Sequence, residues 1–399
     1  MERVYSTYYQ LIKETDLRFV RYLFDQLDWK SDRLIAITGA RGCGKSTLML
    51  QYIKKEWGSA AQNVIYISLD HIWFTTNSLY NFVHEFVKRG GEYLFLDEVH
   101  NYENWSQEIK NIYDNFPKLR IVFTGSSMLE IYKGNGDLSR RAVHYTLNGL
   151  SFREFLEFEY KQKLPAISLP ELLKNHVEIA QNICSDHKII SLFEDYLKLG
   201  YFPYYKENPK NYHSKLLNTL NAVLDMDLPA IENIDHFSIR KLKRLLMIMS
   251  EMVPFTPNIT QLSAQLGSSR NSTLNYLSLL QRAQIINLLE QDASGLRILA
   301  KPEKIYLNNT NLCYALTSDK PNIGNLRETF FLNQLKAVAT VTSSPKCDFL
   351  VDDKYSFEIG GKNKGSEQIM GIENGFLALD NIEIGFDRKI PLWLFGFLY

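Results

Sequence analysis

The sequence predicts an α/β chain: a parallel sheet interleaved with helices over residues 1–150, mainly helical segments after it, and a second α/β unit at the end. Two observations carry the first part. Short apolar runs at 34–38, 63–70, 92–98 and 119–127 alternate with helix-like stretches at 48–57 and 78–88, the βαβα order of a parallel sheet. The first run also leads directly into Gly39, Ala40, Arg41, Gly42, Cys43, Gly44, Lys45, Ser46 and Thr47, spaced as Gly-x4-Gly-Lys-Ser between a strand and a helix.

That spacing is a phosphate-binding loop, and the residue types say why. Gly39, Gly42 and Gly44 let backbone N–H groups turn inward around a phosphate, and the first turn of the following helix adds its positive end. Lys45 is placed to reach the β- and γ-phosphates of ATP. Ser46 offers a hydroxyl to Mg²⁺, which takes only one or two protein ligands beside nucleotide oxygens and water.

The remaining strands supply the rest of the expected site. The run at 92–98 ends in Asp97 and Glu98, an acid to support Mg²⁺ and a general base to polarise water. His100, just beyond, either orients Glu98 or faces solvent. The strand at 119–127 ends in small polar residues, where Ser126 or Ser127 would sense the γ-phosphate, with Thr124 next in line. Before the last strand, at 143–147, Arg140 and Arg141 either complete a neighbouring subunit's site or form a solvated surface. Cys43, beside Lys45 and a helix start, is either a nucleotide-protected reactive thiol or an inert loop residue. Residues 5–28 carry apolar positions at helical spacing and predict an amphipathic helix of structural role.

The whole chain adds bounds. Its 399 residues allow two or three domains, and Lys+Arg and Asp+Glu both count 45, so no global charge points to nucleic acid. The four cysteines lie far apart without ligand spacing, which argues against a disulfide framework or zinc site and fits a reducing cytoplasm. No signal peptide and no membrane-length apolar run is visible, so a soluble cytoplasmic protein is expected.

The motifs ITGARGCGKST, YLFLDEVHNYENW, IVFTGSSMLEI, LSRRAVHYTLNGLSFREFL and LGYFPYY resemble the prokaryotic AAA+ ATPases of the AAA_14 type over most of the chain. The resemblance implies an AAA+-like P-loop NTPase sheet ordered 5-1-4-3-2, ATP hydrolysis, a winged helix and a C-terminal restriction-endonuclease-like domain of unassigned function. By motif, Lys45 and Ser46 match Walker A, Asp97 and Glu98 Walker B, Ser126 the sensor position, and Arg141 the arginine of an S-G-R-A segment. Arg140 stands where that segment has glycine, so either arginine is a candidate.

The expected domains are a P-loop ATPase domain at 1–150, a helical lid at 151–235, a winged helix at 236–300 and an α/β domain at 301–399. Within the lid, Arg153 is better read as a structural salt bridge than as a nucleotide contact. Helices at 240–249, 259–266 and 269–282, cornered at Gly267, read as a helix-turn-helix, with wing strands at 285–289 and 296–299. Ser268, Ser269, Arg270, Asn271, Thr273 and Asn275 would face DNA, but with only Arg270 and Arg282 as cations the expected binding is weak. In the last domain Glu328, Asp348 and Glu358 match a nuclease-like metal site. Gly360 stands where the lysine should, and Lys362 is the nearest, so a silent recognition domain is expected over a cutting one. The functional expectation is Mg²⁺-dependent ATP hydrolysis coupled to recognition of DNA or an unknown protein, with a possible homo-oligomer. The alternatives are a nucleotide-gated switch with negligible turnover and an ATP-regulated metal-dependent nuclease.

Overall fold

Five short strands, β1 (Leu34–Thr38), β2 (Val64–Ser68), β3 (Tyr93–Asp97), β4 (Arg120–Thr124) and β5 (Val143–Thr146), form an all-parallel sheet in the order β2-β3-β4-β1-β5. This is the expected 5-1-4-3-2 order. The computed structural model describes residues 2–58, 61–125, 138, 140–186, 188–229, 234–252, 256–291, 302–317 and 320–399. The chain divides into two units, Met1–Gly149 and Leu150–Tyr399.

In the first unit β1 is buried along its whole length, as a central parallel strand must be, whereas β5 lies at an edge and is largely exposed. The helix Lys45–Trp57 starts directly after Gly44, whose φ of 102° no L side chain adopts readily. The helix Leu79–Lys88 begins where the Ser78 side chain accepts from the Asn81 N–H, and it buries Leu79, Phe82, Val83 and Phe86 on one face. A further helix, Trp105–Asn115, was not anticipated. Only Trp105, Ile109 and Ile112 mark its buried face, and Arg33 fastens its end by donating to the carbonyls of Tyr113 and Phe116.

The N-terminal segment corrects the expectation of a helix over 5–28. The helix is Glu2–Glu14, followed by irregular chain and a short 3₁₀ turn, Tyr22–Asp25. The reason lies in the P-loop helix. Lys54 donates to the carbonyls of Lys13 and Thr15 (3.0 and 2.6 Å), and Gln51 to those of Asp16 and Phe19 (2.8 and 2.7 Å). Carbonyls that would continue the helix are therefore taken by side chains from the neighbouring element.

In the second unit the helices Phe152–Tyr160, Leu169–Cys184, Ile189–Leu199 and Tyr212–Ala222 precede His236–Met252, Ile259–Leu266 and Arg270–Arg282. Arg153 is structural: it donates to Glu157 (2.7 Å), to the Leu164 carbonyl (3.0 Å) and to the Tyr399 main-chain oxygen (2.8 Å). Gly267 makes the left-handed corner between two helices, with φ 57°. The strand β6 (Ile286–Leu289) then pairs antiparallel with β7 (Lys304–Leu307), while residues 296–299, expected as the second wing strand, lie outside the described residues. The closing sheet has the order β12-β11-β10-β9-β8, from β8 (Val341–Thr342), β9 (Phe349–Val351), β10 (Tyr355–Gly361), β11 (Gly375–Asp380) and β12 (Lys389–Pro391). The helix Ile323–Leu335 precedes it. Asp352 and Asp353, both near φ 50°, form the tight turn from β9 to β10.

One position tests the loop's packing. A Cβ on Gly39, at φ 148°, would sit 2.2 Å from the Leu147 carbonyl oxygen. Gly39→Ala should lower stability by about 2–3 kcal/mol in a denaturant titration, since backbone strain and a clash with immovable backbone coincide. A variant as stable as the parent would contradict this packing.

Candidate functional site

The loop between β1 and the helix Lys45–Trp57 lies at the C-terminal end of the sheet, where strand order reverses around β1 and ligands of such sheets bind. Lys45 is buried, and its ammonium donates to the carbonyls of Gly39 (2.9 Å) and Ala40 (3.1 Å). The loop is held from behind by Arg21, a buried residue the sequence did not single out. Its guanidinium donates to the Cys43 carbonyl and to those of Asn148 (2.8 Å) and Gly149 (2.9 Å), tying the loop to the chain leaving β5.

Asp97, at the end of β3, is only 3% exposed. Tyr66 on β2 donates to its Oδ2 at 2.6 Å, and Thr124 at the end of β4 donates to its Oδ1. The Ser46 side chain lies near enough to the Tyr66 hydroxyl to oppose, slightly, the rise of its pKa, so Tyr66 stands between the two residues expected to support Mg²⁺. Burial, and then the Asp97 charge, push the Tyr66 phenol far above its ordinary pKa, so it stays a donor. Both carboxylate oxygens thus accept from neutral hydroxyls, with no cation of the chain beside them among the described residues.

Glu98 follows in a left-handed conformation (φ 52°, ψ 43°), rare for a residue with a Cβ and characteristic of functional strain. Its N–H donates to the Thr124 hydroxyl at 3.2 Å. His100 is inside: its side chain is 2% exposed, and its Nε2 lies 3.4 Å from Glu98 Oε2. Of the two readings open for His100, the solvent-facing one does not hold.

Ser126 and Ser127 lie outside the described residues. Arg141 forms a two-pronged pair with Asp114, Nε to Oδ1 at 3.1 Å and Nη2 to Oδ2 at 3.2 Å. Arg140 is exposed and makes no ion pair among the described residues. Cys43 is fully buried, its sulfur 3.0 Å from where a Gly39 Cβ would stand, which favours the inert of its two readings.

In the second unit Arg270, Asn271 and Asn275 are exposed, as expected of a reading surface, but Thr273 is not. It is buried and shares hydrogen bonds with Ser263 and Ser268 at 2.9 Å each, locking the two helices together. At the closing sheet, Lys304 Nζ lies 3.4 Å from Glu328 Oε2 and 3.3 Å from Asp348 Oδ1, and Tyr306 donates to Glu328 at 2.8 Å. The Ile359 N–H donates to Asp348 Oδ2 at 3.0 Å. The lysine at Glu358 is Lys364, at 2.5 Å, whereas Lys362 makes no ion pair among the described residues and lines a shallow cleft with Arg327, Asn363 and Asn381. Burial raises the pKa of both Glu328 and Glu358; the Asp348 charge adds to both shifts, and Lys304 and Lys364 oppose the respective ones.

Residues 31–156 match an AAA domain family, and residues 190–322 match a domain of unknown function (DUF8612). An uncharacterized protein of Methanocaldococcus jannaschii is 24% identical over 408 aligned residues, which cover 93% of this chain and 86% of that protein. Among solved structures, one of katanin self-assembly is 12% identical (TM-score 0.26, 40% of this chain, 56% of that one). PCH-2 of C. elegans is 16% identical (0.24, 44% and 47%), and Cdc6p of Pyrobaculum aerophilum 10% (0.30, 77% and 96%). The chain spans about half the length of the first two. No described helix is long and apolar enough to cross a membrane.

The burial of the thiols gives a direct check. Cys43 is enclosed, and burial pushes Cys313 up to about 12, so neither should react with maleimide at neutral pH until the protein is denatured. Peptide mapping by mass spectrometry reads this, and labelling of Cys43 in the native, nucleotide-free protein would contradict it.

Proposed function

We propose that the first unit binds ATP with Mg²⁺ and hydrolyses it. The observation that carries this reading is the uncompensated Asp97 carboxylate, with the Tyr66 hydroxyl between it and Ser46 of the phosphate loop and Glu98 directly after it. The loop amides from Gly39 to Thr47 cradle the phosphates, and Lys45 exchanges its two carbonyl partners for phosphate oxygens. Ser46 and Asp97 would hold the ion, whose charge would offset that of the phosphates. Glu98 draws a proton from water, and His100 fixes the direction of its carboxylate. Ser126 is the proposed sensor. Arg141 is committed to Asp114, so Arg140 is the arginine we assign to a neighbouring subunit's site in a homo-oligomer.

The nucleotide state is proposed to act on the second unit, with residues 151–235 as lid, 236–300 as a winged helix and 301–399 as a nuclease-like recognition domain. Coupling requires that the partner, protein or DNA, bind the ATP and ADP states with different affinity. The exposed Arg270, Asn271 and Asn275 support weak DNA contact at most.

Steady-state ATP hydrolysis tests the reading, with Lys45→Ala as the blank. Glu98→Gln should retain ATP and lose roughly 100-fold or more of the turnover, as expected for removal of a general base. His100→Ala should lose less, and turnover per chain should rise with protein concentration if Arg140 acts between subunits. ATP binding without turnover in the parent protein would favour the nucleotide-gated switch; full turnover in Glu98→Gln would remove Glu98 as the base.

A further inference from the structure

Glu328, Asp348 and Glu358 match the acidic positions of a nuclease-like metal site, and the side chains around them do not fit a divalent metal. Among the described residues no three His, Cys, Asp or Glu side chains converge on one point that could hold a metal ion. A cation of the protein's own lies between the carboxylates instead. Lys304, the first residue of β7, reaches Glu328 from the helix Ile323–Leu335 and Asp348 from the approach to β9, at 3.4 and 3.3 Å. The same Glu328 oxygen accepts from Tyr306, and the other Asp348 oxygen accepts from the Ile359 amide. Burial works against the lysine's charge, yet the two carboxylates outweigh it and raise its pKa, so it remains an ammonium.

We infer that Lys304 is a built-in counter-ion standing where a divalent cation would otherwise bind, and that the carboxylate cluster is a metal-independent charge centre. A divalent ion would need direct contact with the oxygens now turned toward Lys304, about 2.0–2.6 Å from each, and would meet a fixed like charge there. The third carboxylate has its own cation on one oxygen, Oε1, while its buried Oε2 has no hydrogen-bond partner among the described residues. Lys364 reaches back from beyond the end of β10 to Glu358, and its stem lies over Gly360, where an added Cβ would fall 2.6 Å from Lys364 Cβ. A side chain at 360 and Lys364 cannot share that space, so the glycine and the displaced lysine belong together. This arrangement gives the domain a fixed pattern of charge for recognition, held without metal.

Mn²⁺ binding to the full nucleotide-free chain, followed by electron paramagnetic resonance, tests this. The wild-type protein should show no Mn²⁺ site that Asp348→Asn removes, and Asp348→Asn should leave the response of the thermal midpoint to Mn²⁺ unchanged. Lys304→Met should gain a Mn²⁺ site, which the added Asp348→Asn change abolishes, while Lys304→Arg stays silent. An Asp348-dependent Mn²⁺ site in the wild type would overturn the inference, as would a folded Lys304→Met variant that gains none. Should Lys304→Met fail to fold, the wild-type titration decides alone, since a silent wild type supports the inference and an Asp348-dependent site contradicts it.

Discussion

The buried carboxylate of Asp97 is the interaction on which the first unit's site depends. Burying a charge without a counter-charge is costly, and the cost falls only if every oxygen is met by a well-placed donor. The donors come from different elements: Tyr66 from β2 and Thr124 from β4. Tyr66 in turn lies near Ser46 of the phosphate loop. Satisfying one carboxylate therefore fixes the register of three adjacent strands at their C-terminal ends and the start of the P-loop helix. Glu98 inherits its direction from the same construction, since its N–H is held by the Thr124 hydroxyl and its carboxylate by His100.

The loop itself is fixed by different physics. Gly39 presses against the Leu147 carbonyl with no room for a Cβ, and Arg21 gathers three carbonyls from the loop and from the chain after β5. Carbonyls so placed need donors, and a guanidinium supplies several in one plane. The segment before β1 is strapped down in the same manner by Gln51 and Lys54. Side chains of the P-loop helix and its neighbours thus organise backbone that has no regular structure of its own.

What was legible in the sequence was what is local. Apolar runs of strand length, the loop spacing and the acidic pair at the end of β3 each announce themselves within a few residues, and the strands at β1 to β5 follow them closely. The groups that complete the sites are not local. Tyr66 looks like any aromatic residue of a buried strand, and Arg21 like any cation in a mixed segment; only the fold brings one to Asp97 and the other to Cys43. The same holds at the closing sheet, where Glu328, Asp348 and Glu358 could be picked out by type, but Lys304 and Lys364, which meet them, carry no motif. The end of the first helix was unreadable because the competing donors, Gln51 and Lys54, lie more than thirty residues away. Cys43 could not be decided from sequence, since its neighbours there allow a reactive or an inert thiol; only the fold shows its sulfur packed inward against Gly39.

In both units a buried or half-buried carboxylate decides the local chemistry, with opposite solutions. Asp97 is met by neutral hydroxyls alone; Glu328 and Asp348 share an ammonium of the protein's own. The claim that Asp97 is held ready for a cation beside the nucleotide is tested most directly by ATP affinity, measured calorimetrically with Mg²⁺ and with EDTA, in the wild type and in Asp97→Asn. The account predicts that Mg²⁺ tightens ATP binding in the wild type and leaves it unchanged in the variant. Full Mg²⁺ enhancement in Asp97→Asn would contradict it.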